Sequence, residues 1–311
     1  MYLIDEQHPA PASPCVTTIG FFDGVHRGHQ YLIRQVQAEA QRRGVDACIV
    51  TFAEHPRRTL AADFQPRLLT TLDEKLDLLA DAGVDRCCVL RFDREMASLH
   101  ARDFMKQYLK DRLHAEALIA GYDHRFGAGR EEGFAHYVHY GQQLGIDVKR
   151  ARPLEAAGVV VSSSATRRFL EAGNVEMAAL CLGRPYGLSG TVAHGHEVGR
   201  TLGFPTANVV PGTADKIIPA AGVYAARCTT DGQCYDAMVN VGTRPTFDGD
   251  GSLTIEAHLF NFDADLYGQP LRVDFIARLR EERRFDSPDD LRRQLEADAR
   301  DTRTRLRPCG E

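Results

Sequence analysis

The order of apolar runs along the chain constrains its fold more than any other feature. Up to about residue 182, short apolar runs alternate with amphipathic stretches. The runs cover residues 15–20, 45–52, 84–92, 116–121 and 146–152. Runs of this length between helical patterns are typical of strands buried on both faces of a parallel sheet. We therefore predict a doubly wound α/β domain in this half.

Helical signals fill the intervals between these runs. Thr71 and Glu74 have the spacing of a capping box, and Gly44 is a natural residue to follow a helix that ends at Arg43. Helices are predicted over 29–43, 101–113, 133–144, 165–171 and 175–182, and after Thr71.

The pattern changes after Gly187, where apolar and polar residues alternate with period two. Strands are predicted over 222–228, 234–241, 253–260 and 270–278, with Asp231-Gly232 as a type I′ hairpin turn. One helix follows, with Ser287 as N-cap and Pro288 in its first turn. We predict two domains, residues 1–185 and 186–311, the second all-β with a terminal helix.

Charge and cysteine content exclude several protein classes. The 311 residues include 38 basic and 43 acidic ones, a net charge of −5, which argues against a partner such as duplex nucleic acid. Eight cysteines occur without a CxxC motif, as expected for buried thiols in a reducing compartment. The sequence shows neither a signal-peptide pattern nor a stretch of about 18 apolar residues, so we expect a cytoplasmic protein without a membrane partner.

The segment GFFDGVHRGH, residues 20–29, carries the sharpest chemical signal of the first half. It follows the first strand and opens the first helix, whose N-terminus favours an anion. His26 and His29 are three residues apart and therefore face the same way, and Gly28 lets a phosphate approach. The pair suits phosphoryl or nucleotidyl transfer. The alternatives are ordinary surface histidines on a helix cap and a zinc pair, which would need a third ligand at suitable spacing.

Three more polar segments follow predicted strands at the same sheet edge: TFAEHP at 51–56, GYDHRFGAGR at 121–130 and SSSATR at 162–167. The hydroxyl groups, N–H groups and Arg167 of the last segment suit a polyphosphate. Each segment alone is weak evidence for a ligand site, since a serine-rich helix cap, for example, is common. Their convergence on one edge favours a ligand site there.

The second half has its own polar set. Residues 195–203 are glycine-rich and basic, but lack the GK[ST] ending of a Walker A loop. Thr206 and Asn208 are two residues apart and on an extended segment point to one side, where their oxygens suit a hard cation. Glu256 shares a strand face with Thr254 and His258, and its alternative interpretation is a solvated carboxylate.

Taken together, these motifs resemble one family, the bacterial bifunctional riboflavin kinase/FAD synthetases. The resemblance runs from about Val16 to Leu306 and rests on GFFDGVHRGH, TFxxHP, GYDxRFGxGR, SSSATR, GRTLGFPTAN, NVGTRPTF and EAHLFNFDADLYG in that order. It implies a Rossmann-like nucleotidyltransferase domain followed by a small Greek-key β-barrel with a C-terminal helix. It also implies phosphorylation of riboflavin to FMN, then transfer of AMP from ATP to FMN, giving FAD and pyrophosphate.

The resemblance implies site residues in both modules. For the N-terminal module they are Gly20, Phe21 and Asp23 at ATP, catalytic His26 and His29 at the α-phosphate and pyrophosphate, Asp123 near flavin and phosphates, and Ser163, Ser164 and Arg167 at the triphosphate. For the kinase module they are Thr206 and Asn208 at Mg²⁺ and phosphate, Glu256 as catalytic base, and Gly199, Arg200 and Gly203 over the nucleotide. Mg²⁺ is expected at both sites, with ATP as co-substrate, and a homo-oligomer is compatible with the family.

The sequence departs from the family pattern at Phe21, His124 and Thr166, and His124 could add a titrating group near the flavin. Two rival functions stay open at this point. One is nucleotidyl transfer to another phosphorylated substrate, which would leave the barrel motifs without a task. The other is a flavin-binding or regulatory protein with decayed catalysis, against which His26, His29, Thr206, Asn208 and Glu256 are all intact.

Overall fold

Two structural units, Met1–Val161 and Ser162–Glu311, make up the chain in a computed structural model. The structure describes residues 1–61, 63–122, 124–154, 160–194, 203–243 and 253–306. Within these residues, no helix combines the length and the apolar character needed to cross a membrane.

A six-stranded parallel sheet forms the centre of the first unit. Its strands are β1 (Tyr2–Ile4), β2 (Cys15–Ile19), β3 (Asp46–Phe52), β4 (Arg86–Leu90), β5 (Ala115–Ala120) and β6 (Asp147–Arg150), in the order β1-β4-β3-β2-β5-β6. The five predicted strands are confirmed, and their order is that of a doubly wound sheet. Such a sheet binds ligands where the strand order reverses, which here is between the carboxyl ends of β2 and β5.

Helices lie between the strands of this sheet. They are α1 (Arg27–Arg43), α2 (Pro56–Leu60), α3 (Leu72–Asp81), α4 (Arg94–Ser98), α5 (Ala101–Phe104), which continues as a π-helix over Met105–Arg112, and α6 (Phe134–Leu144). The predicted capping box of α3 is confirmed, since the N–H of Glu74 donates to Thr71 Oγ1 at 3.2 Å and the N–H of Thr71 to Glu74 Oε2 at 2.9 Å. All five residues of β2 are buried, as expected for a central strand.

A closed six-stranded barrel forms the centre of the second unit. Its strands are β7 (Tyr186–Ala193), β8 (Ala207–Pro211), β9 (Gly222–Thr230), β10 (Gln233–Thr243), β11 (Leu253–Leu259) and β12 (Pro270–Arg280), in the order β10-β11-β8-β7-β12-β9. Strands β9, β10 and β11 are neighbours in sequence, and β12 returns beside β9, which is the Greek-key order. Asp231 and Gly232 both have positive φ, 48° and 73°, as a type I′ turn requires.

Within the described residues, three helices accompany the barrel: α7 (Ser163–Glu171), α8 (Val175–Leu182) and α9 (Pro288–Arg305). Arg278 in β12 links α7 and α8 to the barrel, because its N–H donates to Glu176 Oε1 at 3.2 Å and its Nη1 to the carbonyl of Ala172 at 3.4 Å. The compact units therefore divide before α7, earlier than residue 185. The predicted boundary at 185 concerns the two catalytic modules and stays a prediction.

An ion pair joins α9 to the barrel. Ser287 caps the helix as predicted, accepting the N–H of Asp290 at 3.2 Å. Arg280, the last residue of β12, donates through Nη2 to Asp298 Oδ2 at 2.7 Å and through Nε to both carboxylate oxygens at 3.0 and 3.1 Å. Asp298 is 1% exposed, so this pair lies at the centre of the contact between helix and barrel.

Candidate active sites

The loop that follows β2 carries the first candidate site. Gly20 and Phe21 leave the strand, and Phe22 takes a left-handed backbone conformation, with φ 55° and ψ 30°. A 3-10 turn, Asp23–Val25, then leads to His26, the N-cap of α1. The loop thereby brings both predicted histidines to the carboxyl edge of the sheet, beside the point where strand order reverses.

His26 and His29 stack on one another, as their spacing predicts. Their ring centroids are 3.6 Å apart and their planes differ by 15°. The backbone N–H of His29 donates to His26 Nδ1 at 3.2 Å. Because Nδ1 accepts a hydrogen bond, a neutral His26 carries its proton on Nε2, which makes Nε2–H the donor of this ring.

His29 is held in its neutral form. It is partly buried, and enclosure of its ring by protein lowers its pKa well below the usual range, with smaller contributions from the charges of His26, Lys75 and His124. Its Nδ1 is buried and has no hydrogen-bond partner among the described residues. The family departure His124 therefore lies close enough to His29 to act on it electrostatically.

Asp23 anchors the loop to the segment before α3. Its carboxylate, only 3% exposed, accepts the N–H of Leu69 at 2.9 Å and that of Thr70 at 3.1 Å. Thr70 Oγ1 in turn accepts the N–H of Gly24 at 3.0 Å. These bonds give Asp23 a role in shaping the loop, while contacts of Gly20, Phe21 and Asp23 with ATP stay predictions.

Sequence reasoning missed Lys75, which lies under this loop. The residue is 2% exposed, and its Nζ donates to the carbonyls of Phe52 at 2.9 Å and Phe21 at 3.2 Å. A signal was present, because Lys75 is four residues before the buried Leu79 and so shares its helix face. Lysine is so rarely buried that its place on this helix face does not by itself predict burial.

The serine-rich segment begins α7, as predicted, and belongs to the second compact unit. Ser162 is its N-cap and accepts the N–H of Ala165 at 3.1 Å. Ser163 and Arg167 are partly buried and Ser164 is exposed. Binding of a triphosphate by these three residues stays a prediction. The predicted Asp123 lies outside the described residues.

Three polar residues form a row across the barrel. Glu256 in β11 is opposite Asn208 in β8 and Asn240 in β10. Directly opposed residues in antiparallel strands have Cβ atoms about 4.5–5.5 Å apart, so the three side chains lie side by side on one face. The neighbours Ile255 and Ala257 are buried, whereas Glu256 is partly buried on the opposite face. Asn240 lies in β10, within the strand predicted over residues 234–241.

A cavity of about 300 Å³ lies between this face and α9. Its apolar lining consists of Phe204, Val223, Met238, Phe285, Leu291 and Leu295. Its polar lining includes Thr206, Asn240, Glu256 and His258, together with Arg280, Glu282 and Arg283. Apolar walls with a few polar groups suit a flat aromatic ligand with polar edges.

A second cavity, of about 620 Å³, shares Thr206 with the first. Pro205, Ala207, Phe262 and Tyr267 also line it. Tyr267 stacks on His194 at 3.8 Å between ring centroids, which places a double aromatic layer at this cavity. Thr206 therefore stands where the two cavities meet.

His258 fixes the segment that carries Thr206. Its Nδ1 donates to the carbonyl of Pro205 at 2.8 Å, and burial lowers its pKa. Gly203, at the start of this described segment, has φ 84° and is exposed. The predicted Gly199 and Arg200 lie outside the described residues.

Comparison with protein families gives two matches within the chain. Residues 8–165 match the family model described as FAD synthetase, and residues 182–306 match that of riboflavin kinase. The two ranges cover the loop at residues 20–29 and the barrel, respectively.

Individual proteins resemble the chain over most of its length. The bifunctional riboflavin kinase/FMN adenylyltransferase of Escherichia coli strain K12 is 40% identical over 93% of this chain and 92% of its own. That of Pseudomonas fluorescens is 38% identical over 94% of both chains. A crystal structure named as a macrolide-efflux protein from Streptococcus pneumoniae has a TM-score of 0.90 at 33% identity, covering 97% of this chain and 99% of that one.

Proposed function

Because the chain belongs to the bifunctional riboflavin kinase/FMN adenylyltransferase family, we propose how each unit performs its half of the chemistry. The protein phosphorylates riboflavin to FMN and transfers AMP from ATP to FMN. Riboflavin, FMN, ATP and FAD are thus its substrates and products, and ATP is the co-substrate of both reactions.

Adenylyl transfer is assigned to the loop at residues 20–29. An oxygen of the FMN phosphate attacks the α-phosphorus of ATP, and pyrophosphate leaves as the bond to the β-phosphate oxygen breaks. His26 donates from Nε2–H and neutral His29 from its protonated nitrogen to oxygens on which negative charge increases. The stacked, capped geometry of the two rings supports this assignment, because it fixes both donors before substrate binds.

Riboflavin phosphorylation is assigned to the junction of the two cavities. The isoalloxazine ring of riboflavin suits the cavity beneath α9, and the nucleotide suits the larger cavity beside the His194–Tyr267 stack. The observation that carries this proposal is that Thr206 lines both cavities while Glu256 lines the first. Glu256 accepts the proton of the riboflavin 5′-hydroxyl as that oxygen attacks the γ-phosphorus and ADP leaves.

Mg²⁺ is proposed as the metal of the kinase site. Thr206 and Asn208 flank the buried Ala207 and are themselves partly exposed, so their oxygens are directed to the same side of the segment. Hydroxyl and amide oxygens are ligands that Mg²⁺ accepts together with phosphate oxygens. When bound there, Mg²⁺ would neutralise phosphate charge during transfer. At the transferase site no metal ligand is assigned.

Location and assembly remain proposals as well. The seven cysteines in the described residues are reduced, and six of them are buried, which supports a cytoplasmic enzyme. Self-association is proposed from the family resemblance alone, and size-exclusion chromatography with light scattering would test it.

The test separates the two activities in one chain. Glu256→Ala should lower FMN formation from riboflavin at least a hundredfold and leave FAD formation from supplied FMN unchanged. His29→Ala should have the opposite effect, because it removes one donor from the transferase site. Chromatographic separation of the flavins after incubation with ATP and Mg²⁺ measures both.

Matched controls use the same substitutions at exposed positions. Glu296→Ala in α9 and His139→Ala in α6 should leave both activities at the wild-type level. If Glu256→Ala lowered both activities together, the assignment of separate sites would be wrong. Unchanged FAD synthesis in His29→Ala would refute the role of that histidine.

A further inference from the structure

Lys75 is the feature of the transferase unit that the proposed chemistry leaves without a task. Its side chain is 2% exposed, a degree of burial that lysine seldom reaches because its ammonium group loses its hydration. It also lies in the first turn of α3, where the helix dipole disfavours a positive charge. Both effects oppose a cation at this position, so its presence there requires an explanation beyond packing.

The contacts of Lys75 join the ends of two neighbouring strands. Its Nζ donates to the carbonyl of Phe52, the last residue of β3, at 2.9 Å. It also donates to the carbonyl of Phe21, two residues after β2, at 3.2 Å, and lies 4.3 Å from the centre of the Phe21 ring. One ammonium group therefore holds the loop at residues 20–29, which departs from β2, against the end of β3.

The carbonyl of Phe21 accepts a second hydrogen bond. Thr51 Oγ1 donates to it at 3.1 Å, so two donors fix the peptide that links Phe21 to Phe22. Phe22 has the left-handed conformation that bulky residues rarely adopt, and its ring lies 5.0 Å from that of His29. The orientation of this peptide consequently sets where Phe22 meets His29.

The positive charge of Lys75 affects the same residue, His29, that its contacts help to position. Burial lowers the pKa of Lys75 to about 8, while the negative charge of Asp23 opposes this shift, so the ammonium form predominates at neutral pH. Burial is the main cause of the lowered pKa of His29, and this charge adds to it, as do those of His26, the N-cap of α1, and His124 after β5. It thereby favours the neutral imidazole.

We propose that Lys75 is a positioning residue of the adenylyltransferase site, holding the Phe21–Phe22 peptide so that Phe22 and His29 keep the geometry in which His29 meets the reacting phosphate. The inference rests on the proposed role of His29. Lys75 itself is enclosed beneath the loop and acts through these residues.

The first variant is Lys75→Met. We expect kcat for FAD formation from FMN and ATP to fall at least tenfold, with both KM values within about threefold, because the lost interaction orders the reacting state. Riboflavin kinase activity in the same sample reports whether the chain is folded and should stay unchanged. Lys106→Met, at an exposed lysine of the same unit, should leave both activities unchanged.

The pH profile separates positioning from a purely structural role. Removing a positive charge near His29 raises the pKa of that imidazole, so the pH at which His29 changes its protonation state, and with it the pH dependence of kcat, moves upward. The acid limb of kcat for Lys75→Met should therefore shift upward relative to wild type. Loss of stability alone would lower the amount of active enzyme without moving this limb.

A second variant, Thr51→Val, removes the other donor to the Phe21 carbonyl and keeps side-chain shape and charge. Its kcat should fall about threefold or more without a shift of the acid limb. In the double variant the combined loss should be smaller than the product of the single losses, because both groups act on one carbonyl.

Two outcomes would overturn the proposal. One is a kcat of Lys75→Met within twofold of wild type. The other is a double variant in which the two single losses of kcat simply multiply. If Lys75→Met loses kinase activity as well and has not folded, Thr51→Val decides, and an unchanged kcat refutes the positioning role. A wild-type enzyme that makes no FAD from FMN would instead contradict the proposed function.

Discussion

At the scale of single residues, the ion pair between Arg280 and Asp298 determines how the C-terminal helix meets the barrel. Asp298 also accepts a hydrogen bond from Gln294 Nε2 at 2.6 Å, so its carboxylate is bound from both strand and helix. Arg280, Leu291 and Leu295 all line the smaller cavity. A change in this pair should therefore affect riboflavin binding as well as stability.

Asp298→Asn tests this link. It leaves the largely buried Arg280 without its compensating charge, which we expect to lower the free energy of unfolding by about 3 kcal/mol. The KM for riboflavin should rise, because α9 no longer packs firmly over the cavity. Urea unfolding followed by circular dichroism, with kinase kinetics, measures both effects.

The control for that experiment is Glu296→Gln. It removes an exposed ion pair with Arg292 on the same helix and should change stability by less than about 0.5 kcal/mol. If Asp298→Asn proved no more harmful than this control, the buried pair would not be what holds α9.

At the scale of elements, the contact between α6 and β6 depends on one small residue. A Cβ atom added to Gly141 would clash with the carbonyl oxygen of Ile146 and would lie 2.6 Å from Val148 Cγ2. The helix can approach the chain entering β6 this closely only because Gly141 lacks a side chain.

Gly141→Ala should therefore separate helix and strand and destabilise the first unit by about 1–3 kcal/mol. The neighbouring Gln142→Ala adds no contact on the exposed side of the same helix and should be nearly neutral. The temperature of half-inactivation of FAD formation, compared between the two variants, measures the difference. Equal midpoints would show that α6 can shift without a loss of stability.

Local sequence signals predicted elements whose structure depends on near neighbours. The capping box at Thr71 and the hairpin turn at Asp231-Gly232 are examples, because each is complete within four residues. The edge strand β1 was missed, since three residues carry no measurable periodicity and their partner β4 is far away in sequence.

The candidate sites show the same difference between contacts within a short segment, which the sequence predicts, and contacts between distant segments. The spacing of His26 and His29 within one helical turn predicted their stacking. Asn240 beside Glu256 depends on strand register, and the burial of Lys75 depends on two strand ends meeting over α3. Tertiary structure decides such contacts, and the polarity of the residue alone pointed towards solvent.

At the scale of the whole molecule, the two units protect their thiols. Of the cysteines in the described residues, Cys234 is exposed and the other six are buried. Burial raises the pKa of Cys87 to about 12 and that of Cys88 to about 11, which keeps them as unreactive thiols.

Reaction with a thiol reagent such as dithionitrobenzoate therefore reports on the fold of both units. In a Cys309→Ser background, which removes a cysteine outside the described residues, one thiol should react rapidly. Adding Cys234→Ser should abolish this phase, whereas Cys181→Ser should leave it. Two or more rapid thiols in the folded Cys309→Ser protein would contradict the burial described.

The strand arrangement has a further consequence at this scale, for aggregation. Closure of the barrel leaves its six strands paired on both sides, and the parallel sheet ends in β1 and β6, of three and four residues. Long edge strands carry unpaired N–H and C=O groups, with which strands of other chains can pair. The described part of this enzyme offers little such edge, which should disfavour fibril-like association even where the native protein is highly concentrated.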